Sequence, residues 1–141
     1  MKQVYPVFIV RDGEDFLVNV PDMEILTEGT SLADAIEMAR DAIGAAGISM
    51  EDHDEKIPEP SSREHAFELA GADTDIVDFT QGIMTYVDVD FSEYRRKVNT
   101  KTVRRNVALP GWLDYEAEKA GINVSRVLQD ALMAKLNVSR M

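Results

Sequence analysis

The chain has 141 residues and carries 15 Lys and Arg against 26 Asp and Glu, a formal net charge of -11. That charge points to a soluble protein and away from one that coats a polyanion. With no Cys there is no disulfide framework, no thiolate nucleophile and no Cys-ligated zinc site. No apolar run approaches the roughly 18 residues that span a bilayer, and the opening MKQVYPVFIV has no secretory pattern, so the expected compartment is the cytoplasm, with no membrane partner.

The average charge hides a split. Residues 1–94 hold five basic and 22 acidic side chains, a balance of -17, whereas residues 95–141 hold ten basic and four acidic, a balance of +6. This predicts an acidic body, residues 1–97, joined to a small basic module, residues 98–141. At 45% hydrophobic residues, the length suits one domain of ordinary size or two small ones.

Val4 to Val10 are apolar on both parities, as in a strand covered on both faces, although Pro6 argues against a central place in a sheet. The turn signal Arg11-Asp12-Gly13-Glu14-Asp15 and the alternation Phe16, Val18, Val20 predict a hairpin. Pro21-Asp22 stops it, and a short third strand fits Ile25 to Glu28. Ser31 and Asp34 make a capping-box pair before Leu32, Ala35, Ile36, Ala39 and Ile43, one apolar stripe at helical spacing. Gly44 and Gly47 are expected to end that helix, and Glu51 to Ser62, with Pro58 and Pro60, reads as a surface loop. A short helix fits Arg63 to Leu69, followed by a Gly- and Asp-rich segment. Thr85 to Phe91 alternates as a strand with Val87, Val89 and Phe91 inward, and Ser92 is placed to cap one helical turn, Glu93 to Lys97.

From Lys101 the pattern becomes a strand, Thr102 to Leu109, stopped by Pro110, then a helix from Trp112 to Ala120. Gly121 makes a turn, and a second helix capped by Asn123 has Val124, Val127, Leu128, Ala131, Leu132 and Leu136 on one face. Such a unit of about 40 residues leaves an unpaired strand and a helical face too wide to cover alone. A symmetric dimer with the strands paired antiparallel solves both problems.

This segment, VRRNVALP, a helix, a Gly turn and INVSRVLQDAL, closely resembles a ribbon-helix-helix DNA-binding domain. The resemblance implies that the paired strands enter the major groove of double-stranded operator DNA while the start of the second helix holds phosphate. If Val107 and Leu109 face the helices, the period of two turns Arg104, Asn106 and Ala108 outward. Arg104 suits guanine and Asn106 adenine in bidentate fashion, worth roughly 1–3 kcal/mol of discrimination each. Ala108 offers only apolar contact where the family commonly has a hydrogen-bonding residue. Asn123, Val124 and Ser125, with Lys101, are the candidate phosphate binders.

The whole chain resembles the HicB family of antitoxins from type II toxin-antitoxin systems. The carriers are YPVFIV, FLVNVPDM, TEGTSLADAIEMARDAI, KIPEPS and TYVDVDFSEYRRK, joined to the ribbon-helix-helix end. The resemblance implies an α+β fold: a partial RNase H-like domain of three or four strands with a packed helix, then a dimerising ribbon-helix-helix domain. It implies a cognate HicA-type toxin as partner, a small basic RNA-cleaving protein that the acidic half covers, and repression of the operon by the basic half. No cofactor follows from it. Two N-terminal domains per dimer allow further pairing into a tetramer. Glu24-Ile25-Leu26 departs from the family, which often has a Gly-Cys pair with an aromatic there, and the residues that touch the toxin are not legible.

An RNase H-like fold raises the question of two-metal nuclease chemistry, which needs converging carboxylates. Lys2 to Val10 contain none, Asp88 and Asp90 are what any exposed alternating strand shows, and Glu51-Asp52-His53-Asp54-Glu55 reads as an acidic loop. His65 is isolated. No catalytic residue, metal ligand or enzymatic activity is expected. The alternative function is a free-standing ribbon-helix-helix repressor whose acidic domain senses a ligand or drives oligomerisation.

Overall fold

β1 (Lys2–Asp12) forms the spine of the acidic half. The computed structural model describes residues 1–139, and in it β1 lies between β2 (Asp15–Val20) and β4 (Ile83–Asp90). With β3 (Ile25–Gly29) outside β2, the sheet has the order β3-β2-β1-β4, and every neighbouring pair is antiparallel. The hairpin turn is closed by Gly13 at φ 64, a conformation glycine takes without steric cost.

Pro6 does stand in this central strand, against expectation. β1 pairs with β2 only from Phe8 onward, so at Pro6 its one neighbour is β4. Phe91 N–H donates to Met1 O (3.1 Å), and because antiparallel pairs alternate, Pro6 and Tyr86 form a non-hydrogen-bonded pair. The missing N–H therefore faces the side that β2 has already left, where a ladder asks for no donor.

Both faces of β1 are buried, as its two-sided apolar pattern predicts. On one face Tyr5, Val7, Ile9, Val18, Val20, Val87 and Val89 pack with Ala35, Ala39 and Ile43 of α1 (Leu32–Asp52). On the other, Phe8 packs with Ala66, Ala70 and Phe79, and its ring meets Phe67 edge to face at 4.9 Å. Ala66, Phe67 and Ala70 belong to α2 (Arg63–Ala70), and Phe79 to a 3-10 turn, Phe79–Gln81.

Ser31 caps α1 as read, its hydroxyl accepting from Asp34 N–H (3.0 Å), while the Asp34 carboxylate reaches back to Thr30 N–H (2.8 Å). The helix does not end at Gly44 and Gly47 but runs to Asp52. A Cβ on Gly44 would lie 2.5 Å from the Tyr94 ring, and one on Gly47 2.2 Å from the Phe91 ring. These glycines are notches for aromatic rings inside a helix, not terminators. Both rings come from α3 (Phe91–Lys97), which is capped by Asp90, its Oδ1 accepting from Glu93 N–H (3.1 Å), rather than by Ser92. Phe91 is buried as expected, but as the first residue of the helix rather than the end of the strand.

A second compact unit begins at Lys101. Thr102 to Leu109 form neither helix nor strand, contrary to the strand expected there. A strand exists only through a ladder, and among the described residues of this unit there is no second strand to pair with. The helices form as read: α4 (Gly111–Lys119) follows Pro110, and α5 (Val124–Leu136) is capped by Asn123, whose Oδ1 accepts from Arg126 N–H (3.1 Å). Gly121, at φ 68, lets Ile122 N–H reach Ala117 O (3.0 Å) and Gly121 N–H reach Glu118 O (3.0 Å), the Schellman closure of α4.

Candidate functional site

The residues read as DNA contacts all lie in the second unit and all are exposed. Arg104, Asn106 and Ala108 occupy the irregular segment before α4. Val107 and Leu109 are 52% and 37% exposed, so within one chain the inward and outward parities are not yet distinguished. Val124 and Ser125 open α5 behind the Asn123 cap, where first-turn N–H groups have no intrahelical acceptor and the helix dipole favours an anion. Lys101, at the start of the unit, is also exposed. Among the described residues 101–139 none is buried, and only Ala117 and Met133 are partly covered. Trp112, at 70% exposed, and Leu136, at 67%, are extreme for apolar residues on helices.

In the first unit, the carboxylates weighed as metal ligands have other work. Asp88 accepts from Arg40 Nη2 (3.1 Å) and pairs with Lys2 Nζ (3.3 Å), and these cations hold its carboxyl below the usual carboxylate range. Arg40 Nε also donates to Asp88 O (3.0 Å), satisfying an outward carbonyl on the edge strand β4. Asp90 is lowered chiefly by the Glu93 N–H it accepts. His53 ends α1 with Nδ1 against Ser49 O (2.7 Å), and His65 Nδ1 lies 3.4 Å from Glu68 on α2. Among the described residues no three His, Asp or Glu side chains converge as a metal site. Lys2, Arg40, Asp88 and Tyr94 share a cleft of about 310 Å³ in which three cations stand among five acids.

The more telling constellation joins two sequence motifs. Asp22 of the Pro-Asp turn accepts from Ser61 N–H (3.0 Å) and from the Ser61 hydroxyl, and Tyr5 Oη donates to Pro58 O (2.6 Å). Burial, then the charges of Asp22 and Glu59, push the Tyr5 phenol up to about 12, so it remains a donor. Ile57 packs on the core and Ser62 caps α2 through His65 N–H (3.2 Å). Ile57, Pro58, Ser61 and Ser62 thus hold KIPEPSS against the sheet although it forms no regular structure. Both motifs stood out in the sequence; nothing in the spacing said that they meet.

The match to known proteins spans both units. The family described as HicB_like antitoxin of bacterial toxin-antitoxin system matches residues 5–132. The chain belongs to the HicB-like antitoxin family. Among solved structures, this antitoxin is similar to a chain of a toxin-antitoxin complex from Streptococcus pneumoniae, at 25% identity and TM-score 0.58, covering 96% of this chain and 99% of that one. It is also similar to the Burkholderia pseudomallei antitoxin HicB (23% identity, TM-score 0.49, 96% and 97% covered). A chain from a HicA3 and HicB3 toxin-antitoxin complex matches at 22% identity and TM-score 0.48, covering 62% of this chain and 99% of that one. No curated protein matches. Glu24, in the Glu24-Ile25-Leu26 stretch that departs from the family pattern, has φ 53 and ψ 40, in the left-handed region that favours glycine. Among the described residues no helix is long and apolar enough to cross a membrane.

Proposed function

We propose that this antitoxin neutralises a cognate HicA-type RNA-cleaving toxin by direct binding and represses its own operon through a ribbon-helix-helix tail. On this reading the 1–100 unit is a partial RNase H-like fold used for binding rather than catalysis. The observation that carries the reading is the family match across residues 5–132, which includes most of the sheet, the KIPEPS segment and most of the tail. The likeness to a chain of a toxin-antitoxin complex over 96% of the sequence supports a toxin as partner. Charge supports it too: the 22 acids of residues 1–94 suit a protein that competes with RNA for a basic surface.

The tail's role rests on its exposure. A unit with no buried side chain among its described residues does not stabilise itself, and a second copy supplies what is missing. Residues 102–109 of two chains pair into a ribbon; Arg104, Asn106 and Ala108 face the major groove, while Lys101, Asn123, Val124 and Ser125 hold phosphate.

Purification under native conditions from cells carrying the intact locus, followed by intact-mass analysis, tests the first half. A small basic polypeptide in complex is expected, and its absence overturns the antitoxin reading. Footprinting tests the second half. Arg104→Ala removes a base reader and relaxes preference at one position by about 1–3 kcal/mol, whereas unchanged preference at every position overturns the assigned parity.

A further inference from the structure

We propose that the groove between the Pro21–Met23 turn, the end of α1 and α2 is where the antitoxin receives a basic segment of its toxin, one apolar side chain flanked by Lys or Arg. The proposal rests on the antitoxin reading and gives it a place. The turn, the end of α1, the Pro58–Ser61 loop and α2 wall a groove of about 460 Å³. Met23, Met50, Pro58 and Leu69 supply its apolar surface, and Leu69 is 40% exposed. Methionine thioethers adapt to varied shapes, which suits a binding surface. Asp22 and Glu24 supply carboxylates, and among the described residues no Lys or Arg lines the groove.

That distinguishes it from the cleft at Asp88, where Lys2, Arg40 and Lys97 stand among the acids. Here the acids share the lining with His65 but with no Lys or Arg, and the surrounding residues 1–100 carry eight basic against 22 acidic side chains. Carboxylates repel phosphates, so RNA and DNA are poor occupants; a cationic polypeptide is the complementary one. The groove is also held ready. The Asp22–Ser61 and Tyr5–Pro58 hydrogen bonds fix the loop that forms one wall, so little order is lost on docking. Glu24, in the left-handed conformation, closes the Pro21–Met23 turn with its N–H on Pro21 O (3.3 Å).

The test titrates the 141-residue antitoxin chain with the purified toxin chain from the same locus, by calorimetry. Leu69→Lys and Glu24→Lys are each expected to weaken binding on the order of tenfold or more. Glu14→Lys, an equal charge change at the exposed hairpin turn, serves as the control and is expected to weaken it less than about threefold. Glu24→Gly removes the carboxylate while suiting the backbone, so it separates binding from folding; a stabler protein that binds several-fold more weakly is expected. Equal affinities for the groove variants and the unaltered chain, or equal losses for Glu24→Lys and Glu14→Lys, overturn the groove and leave the antitoxin reading standing. Failure of the unaltered chain to bind overturns both.

Discussion

Residues 1–100 and residues 101–139 follow the same local rules and keep their structure by different means. Ser31, Ser62 and Asp90 cap helices in the first unit as Asn123 does in the second. In the first unit those helices lie on a sheet with a core on each face, and Phe8 and Val18 are wholly buried. In the second, α4 and α5 carry comparable apolar residues that stay in solvent. Capping and propensity therefore suffice to say where a helix begins, while its persistence depends on what covers its apolar face. One unit finds that cover in its own chain. The other is proposed to find it in another copy.

This contrast can be broken, beginning with the largest effect. Phe8→Ala empties the centre of the second core and is expected to destabilise the first unit by about 3–5 kcal/mol in denaturant melts, with no change in the tail's own transition. Loss of both transitions together would show that the units are not independent. Gly47→Ala should cost about 1–3 kcal/mol even though alanine is the better helix former, because the Phe91 ring must move; a stabilised protein would remove the notch assignment. Dilution is next. If the tail is ordered by a second copy, each tenfold dilution lowers its stability by about 1.4 kcal/mol while the sheet unit does not respond, as melting followed at the Trp112 fluorescence would report.

The smallest effect is electrostatic. Asp88 has its carboxyl lowered by Arg40 and Lys2, so the stabilisation it brings is present above the ordinary carboxylate range and is lost as pH falls through the lowered value. Asp88→Asn should therefore be less stable than the unaltered protein at neutral pH and indistinguishable from it in strong acid. A difference that persists in acid would point to packing instead.

Features whose cause lies within a few residues were legible in the sequence. The alternation of Phe16, Val18 and Val20, the Ser31 cap and the Gly121 turn fall into this class. Features whose cause is distant were not. Gly44 and Gly47 look like helix stops until rings from Tyr94 and Phe91, more than 40 positions away, are found against them. Pro6 looks unsuited to a central strand until the register shows that β2 ends before reaching it. The two halves of the groove were visible as PDM and KIPEPS, and the hydrogen bonds that join them were not. Thr102 to Leu109 read as a strand in the sequence and form none in the structure; a ladder needs a partner, and the one proposed for it is a second copy.

The pairing of Gly44 and Gly47 with Tyr94 and Phe91 also limits how this protein can diverge. Adding even a methyl group on the helix demands a slimmer side chain at the facing corner, and a bulkier corner has no room unless the helix stays bare. Drift at these four positions must be concerted, so Gly47→Ala should be tolerated best when Phe91→Leu accompanies it.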